Sequence, residues 1–194
     1  MERQTTVAVI GGGAAGLTAA MFLARAGIAV EVFDQDRSIL KRARLENLPG
    51  SSGLEGSELL TQLRGELTGR NVSTTEGKVE DIVKTEAGFT VHVADDIVSA
   101  QFVVLASGQG TVKLPSLALE TTDARQPFVK VNIVTDRWGA TSVPGVWAAG
   151  VVAGWPSQAV ICAGSGANVA IEIANSVKGE FWVDHDDTRT ATTE

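Results

Sequence analysis

The sequence predicts an α/β fold: one domain in which a parallel sheet is joined to a small antiparallel β meander. Three observations predict it. Two apolar, β-branched runs, residues 5–10 and 29–33, flank an Ala- and Leu-rich stretch, residues 14–26, in strand–helix–strand order. From residue 71 to 93 apolar and polar positions alternate, with breaks at Gly77 and Gly88, as in short antiparallel strands. No internal repeat, low-complexity block or interdomain linker interrupts the 194 residues, a length that suits one sizeable core.

The first strand, residues 5–10, runs into a glycine cluster. The helix after it places Leu17, Phe22 and Leu23 towards a sheet, and Gly27 stops it. The second strand ends at Asp34. Residues 36–47 carry Arg37, Lys41, Arg42 and Arg44. They read as a solvated basic face, with phosphate neutralisation or an acidic partner as the alternative. A loop at 48–53 precedes a helix from Ser57 to about Leu67. After the meander come a buried strand at 101–106, a loop-rich connection at 110–126, a strand at 128–134 and a short strand at 145–150. An Ala/Ile-rich helix fills residues 158–177. The domain is expected over residues 1–179, with 180–194 as an acidic, flexible tail.

Bulk composition excludes several functions. The net charge of −7 gives no electrostatic footprint for nucleic acid and no attraction to an anionic membrane. Residues 14–30 are broken by Arg25 and Gly27, too poor a stretch for a membrane span. With the first strand starting near Thr5, no secretion signal is expected. Cys162 is the one cysteine, so no internal disulfide can form, which fits the reducing cytoplasm. His92 and His185 are too far apart in the chain for a credible metal or base site, and no metal is expected.

The glycine cluster carries the chemistry. Gly11-Gly12-Gly13-Ala14-Ala15-Gly16 satisfies GxGxxG directly between a strand and a helix, the context that gives this motif its meaning. Gly11 makes the turn, Gly13 lets backbone approach a pyrophosphate, and Gly16 allows close helix–sheet packing. The helix start offers free N–H groups and a positive dipole end. Asp34 follows 18 residues after Gly16, where an acid accepts from ribose hydroxyls and selects against a 2′-phosphate. The fold is therefore Rossmann-like, and the ligand a dinucleotide.

Five segments in order resemble the thioredoxin reductase family of FAD-dependent pyridine nucleotide–disulfide oxidoreductases. They are residues 9–17; Asn47-Leu48-Pro49-Gly50 with the following 56–60; Val104-Leu105-Ala106-Ser107-Gly108; residues 141–150; and Gln158-Ala159-Val160. The resemblance runs from about residue 5 to 177. It implies a single FAD-binding domain. Gly11, Gly13, Ala14, Ala15 and Gly16 would hold the pyrophosphate. Asp34, with Gln35 beside it, would hold the adenosine ribose, and Asn47 belongs to the family's Asn-x-Pro-Gly segment. Lys78 and Val79 would offer backbone to the adenine, and Ala106, Ser107 and Gly108 would line the phosphate half. Gly150 and Val151 would flank the ribityl chain. Gln158 and Ala159 would present N–H groups to the flavin. A helix N-terminus there stabilises the negative charge of a reduced flavin.

The departures bear equally on function. The family's inserted NADPH domain is missing near residues 110–127, and no second glycine fingerprint exists. The family's Cys-x-x-Cys pair is absent, so the intramolecular dithiol route is closed. The family's Gly-Asp is Gly150-Val151 here. Losing that aspartate removes a charge-assisted bond of about 1.5–3 kcal/mol, or roughly 10- to 150-fold in affinity. The expectation is a flavoprotein that acts as an oxidoreductase or electron-transfer protein with a redox partner or NAD(P)H. A non-catalytic FAD-binding sensor or subunit is the alternative. The family's FAD domains imply a homodimer. Cys162, one turn into the last helix, reads as a small buried residue or as a lone thiol near the flavin.

Overall fold

The computed structural model describes residues 2–51, 53–70, 72–109 and 114–185. Strand β1 (Glu2–Ile10) leads into helix α1 (Ala14–Arg25) and then β2 (Val30–Asp34). A small ribbon, β3 (Arg44–Leu45) with β4 (Leu54–Glu55), introduces α2 (Gly56–Thr68). Four strands follow: β5 (Ser73–Glu76), β6 (Val79–Thr85), β7 (Gly88–Val93) and β8 (Asp96–Leu105). A second ribbon pairs β9 (Thr121–Asp123) with β10 (Val131–Ile133). The chain ends in β11 (Val146–Ala148) and α3 (Ala159–Lys178).

One mixed seven-stranded sheet organises the chain. Its parallel part runs β5-β2-β1-β8-β11, with Ile10 opposite both Phe33 and Leu105. β8 has ten residues and serves two neighbours along one edge. Its first half, Asp96–Ala100, pairs antiparallel with β7, and its last three residues pair parallel with β11. The meander is thus β6, β7 and the start of β8, continuous with the parallel sheet. β5, expected within the meander, instead extends the parallel edge beside β2. Residues 128–134 form a strand only at Val131–Ile133, and Phe128 is half exposed.

Both faces of the sheet are covered. On one, Val7, Val9, Val32 and Val104 pack against α1, α2 and α3. On the other, Phe33, Val103 and Leu105 meet the meander's Ile82, Phe89 and Val91 together with Leu114, Leu117 and Ile133. Two-sided burial is why the parallel strands read as continuous apolar runs. By length and composition α3 could cross a membrane. Its Ser165, Gly166, Val169, Ala170, Ile173 and Ala174 are buried within the domain. The acidic segment begins by folding back: the Trp182 N–H donates to Asn175 Oδ1 at 2.7 Å, and Arg25 pairs with Asp184 at 2.6 Å. Residues 186–194 lie outside the described part.

Candidate functional site

The site forms where the parallel strands end together. Beyond each strand the backbone stays tied to its neighbour: Gly11 N–H to Phe33 O at 2.8 Å, Ala106 N–H to Ile10 O at 2.8 Å, and Ala149 N–H to Leu105 O at 2.9 Å. The crevice outside these carboxyl ends is the usual ligand position of open α/β sheets. Here it is a trough in two connected parts that share Gly13, Ser38, Ile39, Ala106, Gly108 and Gln109. The larger part, about 410 Å³, lies over Gly11, Gly12, Gly13 and Asp34. The smaller, about 70 Å³ and mostly apolar, lies between Ala14, Ala15, Val151, Ala159 and Cys162.

Each glycine of the fingerprint has its own reason. Gly11 has φ +113°, and a Cβ on it would sit 2.4 Å from Ala106 O. A Cβ on Gly16 would lie 1.9 Å from Gly11 O, so Gly16 supports the turn from behind. A Cβ on Gly13 would meet only Ser38 Oγ, at 3.5 Å, so Gly13 opens backbone to the trough. Sequence reasoning passed over Gly12. A Cβ there would lie 2.2 Å from Asp34 Oδ2, so this glycine makes room for the acid. Its only signal was a glycine at an unspecified motif position.

The other expected residues divide. Gln35, Val79, Ala106, Ser107 and Gly108 line the large part beside Asp34. Ala14, Ala15, Gly150, Val151 and Ala159 line the small part. Lys78 is exposed and outside the lining, because strand alternation turns it away between Gly77 and Val79, which do line it. Asn47 stands on an exposed loop beyond β3, away from the trough lining. Gln158 is exposed at the N-cap of α3, where its carbonyl accepts from Ile161 N–H and Cys162 N–H. The first amides of α3 therefore point past it, without intrahelical acceptors.

Two cations hold the acids at the end of β2, Arg64, unassigned by sequence, and Lys41 of the basic stretch. Arg64 on α2 reaches Asp34 at 2.9 Å and Asp36 at 2.8 Å, and Lys41 also binds Asp36. These two cations hold the Asp36 carboxyl below its ordinary pKa. Arg37 lines the large part itself. At the opposite end Val151 is buried, and its carbonyl accepts from the buried Asn132 side chain at 2.8 Å. The Cys162 thiol is buried and donates to Pro156 O at 3.4 Å, and burial raises its pKa. It is both a packed residue and part of the pocket wall.

Comparison with known proteins sets this trough in a family. The model of the pyridine nucleotide-disulphide oxidoreductases matches residues 5–128. A ferredoxin–NADP reductase of Lactobacillus helveticus is 28% identical over 174 residues, covering 86% of this chain and 51% of that protein. A thioredoxin reductase of Mycolicibacterium smegmatis is 32% identical over 106 residues, 53% of this chain and 34% of that one. This chain thus spans about half the length of the Lactobacillus relative, and less of the other. Among solved structures, a thioredoxin reductase from Gloeobacter violaceus superposes with TM-score 0.79 at 17% identity, over 95% of this chain and 99% of that one. The thioredoxin reductase of T. acidophilum gives 0.75 at 19%, over 91% and 99%. Both share the fold.

FAD is the cofactor of this family, and the residues fit it. The cradle at Gly13 is one a Cβ would begin to fill. Ser107 Oγ is buried beside that cradle without a hydrogen-bond partner among the described residues. An unsatisfied hydroxyl is costly unless a ligand completes it. The chain belongs to the pyridine nucleotide-disulphide oxidoreductase family, as an FAD-binding domain of the thioredoxin reductase and ferredoxin–NADP reductase kind.

Proposed function

We propose that the chain is an electron-transfer flavoprotein without disulfide reductase activity of its own. The carrying observation is Cys162: it is the one cysteine in the sequence, buried, and held as a thiol. Dithiol exchange needs an attacking thiolate and a second sulfur, and neither is available. The short connection at the place where the family resemblance puts an NADPH domain supports the same reading. Fifteen residues, 106–120, stand between β8 and β9, of which 110–113 lie outside the described part. About half of the Lactobacillus relative has no counterpart here.

In this reading the glycine turn and the first amides of α1 hold the pyrophosphate, and Ser107 donates to it. Ala14, Ala15, Val151 and Ala159 wall the flavin and keep water from it. The first amides of α3 stabilise negative charge at that end. When bound, FAD supplies the redox chemistry. Electrons come from NAD(P)H or a protein partner at the face that an NADPH domain would cover. The family resemblance supports a homodimer, and the lone thiol supports the cytoplasm.

A visible spectrum of the purified protein, followed by NADPH or NADH without oxygen, tests the proposal. A flavin spectrum that bleaches is expected. A colourless protein that takes up no added FAD would overturn it. A second reading, a non-catalytic FAD-binding subunit, is favoured by Val151. A flavin spectrum that no nicotinamide donor or redox protein bleaches would select it.

A further inference from the structure

An acid at the end of β2 ordinarily excludes a 2′-phosphate, because its charge repels one and its oxygens are set to accept from a ribose hydroxyl. Asp34 is not such a free acid. Arg64 Nη2 lies 2.9 Å from its Oδ2, and the Asp34 side chain is only 12% exposed. The neighbouring Asp36 is held by both Arg64 and Lys41. Both carboxylates near the adenosine end are therefore neutralised from outside the trough.

Arg37 is the remaining charge. It lines the large part of the trough with Asp34, Gln35 and Val79, and it has no ion-pair partner among the described residues. Three cations, Arg37, Lys41 and Arg64, thus stand against two carboxylates, Asp34 and Asp36. Among these five side chains cations outnumber carboxylates, although the whole chain carries −7. A guanidinium beside the β2 end is the feature that accommodates a 2′-phosphate in dinucleotide-binding folds, and its fork matches phosphate oxygens.

We infer that the adenosine end of the trough takes 2′-phosphorylated adenine dinucleotides, of NADP(H) chemistry, in competition with FAD. The inference rests on the reading of the trough as a dinucleotide site. Arg37 contacts the 2′-phosphate, and Arg64 removes the repulsion that Asp34 would exert. Because FAD lacks a 2′-phosphate, this preference marks a second ligand for the same cleft. NADP(H) in excess would then lower flavin occupancy.

The test uses adenosine 2′,5′-bisphosphate and adenosine 5′-monophosphate as probes, binding each to the purified protein by calorimetry at one fixed salt concentration. FAD is titrated in parallel. The bisphosphate is expected to bind at least as tightly as the monophosphate. Arg37→Ala should shift the ratio of the two Kd values about tenfold towards the monophosphate, the size of one charge-assisted bond. A wild-type preference of tenfold or more for the monophosphate, or a ratio that Arg37→Ala leaves unchanged, overturns the inference while FAD binding upholds the site. Failure of FAD and both probes to bind overturns the site and the inference together.

Discussion

Val151 stands at the cofactor end where the resembled family has an aspartate. It is buried, lines the small apolar part of the trough, and offers only a backbone carbonyl, which Asn132 already engages. Val151→Asp would place an acceptor there. Without FAD the new carboxylate sits in apolar surroundings, and its desolvation lowers stability. With FAD a charge-assisted bond to a ribityl hydroxyl adds about 1.5–3 kcal/mol, tightening binding roughly 10- to 150-fold. The variant should therefore melt lower than wild type when free and gain more from added FAD, since stabilisation by a ligand grows as Kd falls. Flavin fluorescence titration and melting curves with and without FAD check this; equal Kd values for the two proteins would defeat it. Asp34 shows the complementary case. Its carboxylate keeps its position because Gly12 has no side chain to displace it.

Helices α1 and α3 line the small pocket and pack closely on each other, most tightly at one glycine. A Cβ on Gly166 would lie 2.1 Å from Ala15 O, a backbone atom that cannot swing aside. Gly164, two positions earlier on the same helix, is exposed, and a Cβ on it would meet nothing within 4 Å beyond its own helix. The two glycines should therefore respond oppositely to alanine. Gly164→Ala should stabilise by about 0.5–1 kcal/mol through helix propensity. Gly166→Ala should destabilise by about 1–3 kcal/mol through overpacking and weaken FAD, because it drives α3 and its N-terminus away from α1. Urea denaturation of both variants checks the pair, and a shared sign would refute the crossing. At this scale much was legible beforehand. The 14–26 and 158–177 stretches announced α1 and α3 to within a residue or two, because apolar content and glycine stops are local signals. The first half of β8 was missed, since Asp96, Ser99 and the other polar positions there are held by pairing with β7, not by their own propensity. β5, with Ser73, Thr74, Thr75 and Glu76, gave no hint that it would lie parallel to β2. Arg64 escaped for the same reason: a basic residue on an amphipathic helix looks solvated until the fold brings Asp34 to it.

Across the whole molecule the sheet has a working end and a clamped end. The trough occupies the carboxyl ends of β1, β2, β8 and β11. A polar cluster anchored at the amino ends of β1 and β8 ties four strands. Arg3 on β1 donates to Glu31 Oε1 on β2 at 2.7 Å and to Thr75 Oγ1 on β5 at 3.0 Å, and its other nitrogen meets Asp96 on β8 at 3.0 Å. Thr75 Oγ1 also donates to Glu31, at 2.6 Å. Glu31 is 4% exposed, so its charge depends on these partners. Arg3→Ala leaves it with Thr75 alone. Breaking a fully buried pair costs about 3–5 kcal/mol, and the partial exposure of Arg3 reduces this to roughly 1–3 kcal/mol. None of the four side chains lines the trough, and Thr75, two residues before the lining Gly77, keeps its bond to Glu31 when Arg3 is truncated. Groups that share no partner with a site perturb it little. Arg3→Ala should therefore lower the melting temperature by several degrees and leave the Kd for FAD within about twofold of wild type at 20 °C. Adding Glu31→Gln to it should recover part of the lost stability, because the amide needs no counter-ion. If Arg3→Ala instead loosened FAD in proportion to stability, the two ends of the sheet would be one cooperative unit, and the trough would owe its shape to the clamp beneath it.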